Sequence, residues 1–281
     1  MTSPTPAESA FDRETAVAVA PDADPGRPTW TASLSDAWNI GDNPNGGYLL
    51  SPMVQAIRSH TGRPDPLSLT AHFLRPGLGG QPADIVAEEV RSGRRSATVT
   101  ASLHQGGKER VRVLGAFGDL ANVAPLGLDV PELGAEPPEL PTPDECRDRR
   151  RLEQGVELPI LSRLDVRIDP QWAEPGRGGR AEVAGWIRFA DGRAPDAASL
   201  PLFADAFPPS LFSLVGRVGW VPTLELTVHV RRPPAPGWIR ARFRTSDLVG
   251  ELFVEDGKLW DSTGQLVARS RQLAVLLDDG R

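Results

Sequence analysis

Few residues of this 281-residue chain stand where a side chain could do chemistry, and the most conspicuous is an acid in an apolar run. Asp205 lies between Leu202, Phe203 and Ala204 on one side and Ala206 and Phe207 on the other. A carboxylate buried there needs a partner or a task, because an unpaired charge is costly away from water. Two readings fit: an acid that takes or orients a proton, or the N-cap of a helix restarted at Pro208-Pro209. We place the functional reading first.

Histidines invite acid-base chemistry, yet His72 and His229 sit at one position of a repeat. Leu69-Thr70-Ala71-His72-Phe73-Leu74-Arg75-Pro76 recurs as Leu226-Thr227-Val228-His229-Val230-Arg231-Arg232-Pro233, 157 residues later. Recurrence in a duplicated strand predicts a structural role satisfied by hydrogen bonds. Arg75, Arg231 and Arg232 could meet phosphates, although arginines at a strand end read most simply as solvated. Cys146, the only cysteine, reads as an incidental thiol and excludes an intramolecular disulfide and a cysteine-based metal cluster. Arg147 with Arg149-Arg150-Arg151, interleaved with Asp148 and Glu153, reads as a solvated helix face.

The elements that must carry these residues also come twice. Alternating apolar residues ending at a proline predict a strand with a hard stop, since proline cannot donate to the ladder. In the first half, Thr15 to Val19 and Trp30 to Leu34 read as strands around the turn-rich 21–26. Apolar residues at 49, 50, 53, 54 and 57 have the spacing of a buried helix, with Pro52 in its first turn. The period then changes to 2. Leu67 to Leu74, Ala83 to Val90, Ser96 to Leu103 and Arg110 to Phe117 form a meander with glycine-rich turns.

Proline at 125, 131, 137, 138, 141 and 143 predicts a connector extended along the surface. Strands at 161–168 and 181–189 follow. The segment 199–215 stands where the first helix stood, interrupted at Pro208-Pro209. Strands at 223–230, 238–245, 251–260 and 265–277 complete a second meander, with a break at Asp256-Gly257-Lys258 and a turn at Ser262-Thr263-Gly264. The expected layout is a tail at 1–10, a module at 11–120, a connector at 121–155 and a second module at 156–279. The seven tryptophans are expected to fill core rather than line a channel.

Composition narrows the function classes. Hydrophobic residues at 40% and charged residues at 24% are globular values. A net charge of −6 argues against nucleic acid as a partner. No apolar run reaches the roughly 18 residues of a membrane span, and Met1 to Pro6 lacks the pattern of a signal peptide, which predicts a cytoplasmic protein.

A long helix wrapped by a bent antiparallel sheet, given twice, is the double hot-dog arrangement of the α+β class. At this level the chain resembles the type II (TesB-like) acyl-CoA thioesterases of the double hot-dog superfamily. The resemblance rests on Gly46-Gly47 opening the first helix, on His72-Phe73-Leu74-Arg75-Pro76-Gly77, and on Arg91-Ser92-Gly93-Arg94-Arg95-Ser96. In the second half it rests on Ala204-Asp205, on Thr223 ten residues before Pro233, and on Ala268-Arg269-Ser270-Arg271-Gln272. It implies hydrolysis of acyl thioesters by a water that Asp205, Thr223 and Gln272 hold, with no cofactor and no metal. Asp205 would take the proton, Thr223 and Gln272 would fix the water's other hydrogen bonds, and backbone amides at Gly46-Gly47 would meet the oxyanion. Arg75 is the candidate for substrate phosphates. A non-catalytic acyl-thioester or lipid-binding module is the alternative. A hot-dog hydratase ranks below both, since no histidine follows Asp205. Exposed sheet edges predict a homo-oligomer.

Overall fold

The computed structural model describes residues 8–21, 28–123, 133–216 and 218–277. Residues 1–7 of the expected tail, most of the turn at 21–26 and residues 124–132 of the connector lie outside the described residues. The first half contains α1 (Ala10–Glu14), β1 (Val17–Val19), β2 (Thr29–Ser33), β3 (Asn39–Ile40), β4 (Asn43–Pro44), α2 (Gly46–Thr61), β5 (Asp65–Phe73), β6 (Pro82–Ser92), β7 (Ser96–Gln105) and β8 (Lys108–Gly118). The second half contains β9 (Arg147–Asp148), β10 (Leu164–Ile168), β11 (Glu182–Phe189), α3 (Leu200–Phe203), α4 (Phe212–Val215), β12 (Thr223–Val230), β13 (Ile239–Val249), β14 (Leu252–Trp260) and β15 (Leu266–Val275).

One 13-stranded antiparallel sheet runs β1-β2-β6-β7-β8-β5-β12-β15-β14-β13-β11-β10-β9. Read outward from the centre, β5-β8-β7-β6-β2 is answered by β12-β15-β14-β13-β11. The chain is a double hot-dog, and its two halves meet through the repeated octapeptide. β5 and β12 pair antiparallel with Leu69 opposite Val228 and Thr70 opposite Thr227. The threonines are equivalent positions of the repeat, and their hydroxyls touch at 2.9 Å. A pseudo-two-fold axis therefore passes between them. His72 and His229, flanking this joint, are exposed strand residues, which corrects the expectation of hydrogen-bonded structural histidines.

The central helix α2 forms because Asn45 caps it, its side chain accepting from the Tyr48 N–H at 3.0 Å. Gly62 ends it in the left-handed conformation at φ 67°. Leu49, Leu50, Met53, Val54 and Ile57 are all buried, at roughly 1.5–3 kcal/mol each for side chains of this kind. The helix starts at Gly46, so Pro52 lies beyond the first turn that the sequence assigned to it.

Two other expectations change. β14 runs unbroken through Asp256-Gly257-Lys258. A side chain at Gly257 would collide with the Phe243 ring and the Ser270 hydroxyl, so this glycine serves a close approach within the sheet, not a turn. The arginine cluster is no solvated helix face: Arg149–Arg151 is a single 3-10 turn in which Arg149 is 3% exposed. Residues 133–145 of the connector run irregularly across the second half of the sheet. Their carbonyls at Ala135, Pro138 and Pro141 accept from Trp260 Nε1, Arg240 and Trp186 Nε1 at 2.6, 3.0 and 2.9 Å.

Tryptophans 30, 38, 172 and 260 fill core, whereas Trp220 is 41% exposed and lines the cavity described next. Among the described residues no helix is long and apolar enough to cross a membrane.

Candidate active site

The site begins where the first turn of α2 meets the turn after α3. Gly46 and Gly47 are there because nothing larger fits. A Cβ on Gly47 would stand 2.7 Å from the Pro201 carbonyl oxygen and 2.8 Å from Leu202 Cα. One on Gly46 would stand 2.8 Å from the Phe73 ring. This approach delivers Asp205 to the positive end of the α2 dipole. The Gly47 N–H and Asn45 Nδ2 both donate to Asp205 Oδ2, at 2.8 and 2.9 Å. Asn45 Nδ2 also donates to the Asp205 carbonyl at 2.8 Å, so one side chain caps α2 and ties down the acid.

Asp205 is thus no N-cap of a restarted helix, since α4 begins at Phe212 without a side-chain cap. It is held by α2 instead. The bond from Gly47 commits that amide to this carboxylate and away from an oxyanion. Burial pushes the Asp205 carboxyl up to about 6, against the opposing pull of those donors and of Arg149.

Asp205 lines a cavity of about 230 Å³ whose apolar wall includes Leu49, Phe73, Phe207 and Phe243. Thr223 and Gln272 line it too, on the neighbouring strands β12 and β15, where Gln272 Nε2 donates to Thr223 Oγ1 at 2.7 Å. The three residues read from the sequence share one cavity. The hydrogen bonds of Asp205 run to Asn45 and the first turn of α2, while Gln272 and Thr223 bond each other. Gly46 and Arg75 also line the cavity. Arg75 is exposed and donates to the Glu109 carbonyl at 2.8 Å. Gly47 lies behind the wall.

Three contributors escaped the sequence reading. Asn45, in Asn43-Pro44-Asn45-Gly46-Gly47, carried a capping signal. Arg149 reaches the cavity and donates to the Ala206 carbonyl and to Gln154 at 2.5 and 3.1 Å, burial pulling its guanidinium down to about 9. Its signal was only a charge among charges. Glu255 lines the cavity from β14, and burial raises its carboxyl to about 7. It shares strand parity with buried Phe253 and Leu259, and an acid at an inward position was the available sign. Cys146 is buried, its thiol pushed up to about 11 by that burial, a poor nucleophile.

Comparison with known proteins bears on the family and the fold. Family models for the acyl-CoA thioesterase N-terminal and C-terminal domains match residues 34–118 and 137–276. An uncharacterized protein of Mycobacterium tuberculosis is 31% identical over 286 residues, covering 93% of this chain and 97% of its own. A candidate thioesterase II from Thermobifida fusca superposes with a TM-score of 0.81 at 29% identity, covering 96% of this chain and 98% of that one. A hot dog protein of unknown function from Alicyclobacillus acidocaldarius gives 0.80 at 23% identity over 96% and 99%, a likeness of fold alone. The chain belongs to the acyl-CoA thioesterase family, in its TesB-like, tandem hot-dog form.

Proposed function

We propose that this protein hydrolyses acyl-CoA to free acid and CoA by direct attack of an oriented water, in the cytoplasm and as a homo-oligomer. One observation carries the reading: Asp205 and the hydrogen-bonded Thr223-Gln272 pair face the same apolar-walled cavity from opposite elements. Asn45 and Gly47 occupy Asp205 Oδ2, so Oδ1 is the oxygen that would accept from the water. Thr223 and Gln272 would take up the water's remaining hydrogen bonds.

The steps balance. The water oxygen bonds to the thioester carbon as its proton passes to Asp205. The tetrahedral oxyanion then collapses, the C–S bond breaks, and the departing thiolate recovers the proton. A carboxylate near 6 is ionised at neutral pH yet more basic than a free aspartate. No covalent acyl-enzyme is required. Phe73 and Phe207 would contact the acyl chain, and Arg75 at the cavity mouth would meet the phosphates of CoA.

Thiol release from short, medium and long acyl-CoAs, followed with a thiol-reactive dye, tests the reading. Turnover on one class of chain length is the expected result. Binding of acyl-CoA without turnover on any of them would favour an acyl-thioester-binding module. Gel filtration with light scattering tests the assembly, and a monomer would overturn it.

A further inference from the structure

The cavity holds a second buried acid that the water-orienting trio does not use. Glu255 sits in a polar row built by the sheet register. It is directly opposite Thr245 on β13 and directly opposite Gln272 on β15, so the three side chains share one face. Ser210, between α3 and α4, closes over this row. Its N–H donates to Glu255 Oε2 at 2.6 Å, and its Oγ stands 3.0 Å from Thr245 Oγ1. Glu255 is 8% exposed and still lines the cavity beside Gln272. No ion pair is recorded for it among the described residues.

The supply of hydrogen-bond donors gives this acid a task. A thioester oxygen becomes an oxyanion during attack and needs donors. The amide of Gly47 is spent on Asp205. Arg149 spends Nε and Nη1 on Gln154 and Ala206, and Gln272 spends one N–H on Thr223. A protonated Glu255, with Oε2 already accepting from Ser210, carries its proton on Oε1.

We propose that Glu255 is a second catalytic residue of this cavity, its neutral carboxylic acid donating a hydrogen bond to the thioester oxygen as negative charge develops there. This rests on the thioesterase reading. The proton stays on Glu255 through attack and collapse, so the balance given above is unchanged.

The surroundings favour the neutral form. Burial is the largest cause of the rise to about 7, Ser210 opposes it, and the charges of Asp205 and Asp256 add to it. Arg149 and the exposed Arg75 are the cations that line the same cavity, while Thr245 and Gln272 on the flanking strands are neutral. Asp205 near 6 and Glu255 near 7 are two acids whose environments push them toward base and donor roles, titrating as a coupled pair.

The test is the pH dependence of kcat and kcat/KM for wild type, Glu255→Gln and Glu255→Leu, each checked for folding by circular dichroism. Wild type is expected to give a bell whose alkaline limb falls near 7. Glutamine keeps a donor that does not titrate, so Glu255→Gln should remain active and lose the alkaline limb. Glu255→Leu should lose kcat by roughly 10²–10³-fold, the cost of one oxyanion donor. An unchanged alkaline limb in the glutamine variant, or unchanged kcat in the leucine variant, overturns the role while leaving the thioesterase reading intact. A wild type without turnover overturns both. Infrared difference spectra supply a readout apart from activity. At pH 7, where Asp205 is mostly ionised, a protonated-carboxyl band clearly weaker in Glu255→Gln than in wild type is expected, and a band of undiminished intensity overturns the assignment.

Discussion

Asp205→Asn should make the protein more stable while removing its activity. The carboxyl titrates near 6 in the folded chain and at 3.8 ordinarily. Because the folded state holds this proton more tightly, the group's contribution to stability is full below about pH 4 and is lost as pH rises through about 6. Once it is ionised in both states, the folded chain carries a penalty of up to about 3 kcal/mol. Asparagine never ionises, and its carbonyl oxygen can still accept from Asn45 and Gly47 in place of Oδ2. Urea denaturation of both proteins at a series of pH values between 4 and 8 reads the difference. The curves should nearly coincide at pH 4, diverge between 4 and 7, and stay apart by up to about 3 kcal/mol above that. A variant less stable than wild type at pH 8, or a difference independent of pH, would refute the reasoning.

Other perturbations follow from the same geometry. Gly47→Ala drives a Cβ against the Pro201 carbonyl and Leu202 Cα, so a thermal melt should show a loss of about 1–3 kcal/mol together with loss of thiol release. Arg149→Met removes the positive charge that favours ionised Asp205, so the acid limb of the pH-rate profile should move upward; an unmoved limb refutes the coupling. Thr223→Val keeps the shape but deletes the acceptor of the Gln272 bond. Its kcat should fall by on the order of 10-fold or more through misplaced water, while a denaturation curve moves by only about 1 kcal/mol.

Much of the fold was legible because duplication leaves a local trace. The octapeptide repeat marked the two strands that turned out to face each other, Thr70 against Thr227. Period-2 runs bounded by glycine located the meanders, and only Gly257 misled, since a glycine needed for close approach looks like one needed for a turn. Pro52 misled in the same way, because a helix start is set by its cap at Asn45 rather than by its proline. At the site, Asp205 stood out because its neighbours in sequence are apolar. Glu255 and Arg149 did not, because burial comes to them from elements far along the chain: Glu255 from the Ser210 turn, Arg149 from the turn at Ala206. The histidines repeated for the sake of the strand, not for a buried bond.

The most direct test of the central claim is rapid-mix thiol release from one acyl-CoA by wild type and Asp205→Asn at neutral pH. Linear release from the first turnover in wild type, without a burst, and a rate at or near background in the folded variant are predicted. Wild-type turnover in Asp205→Asn, or a burst of one equivalent of thiol, would contradict an Asp205-oriented water attacking the thioester directly.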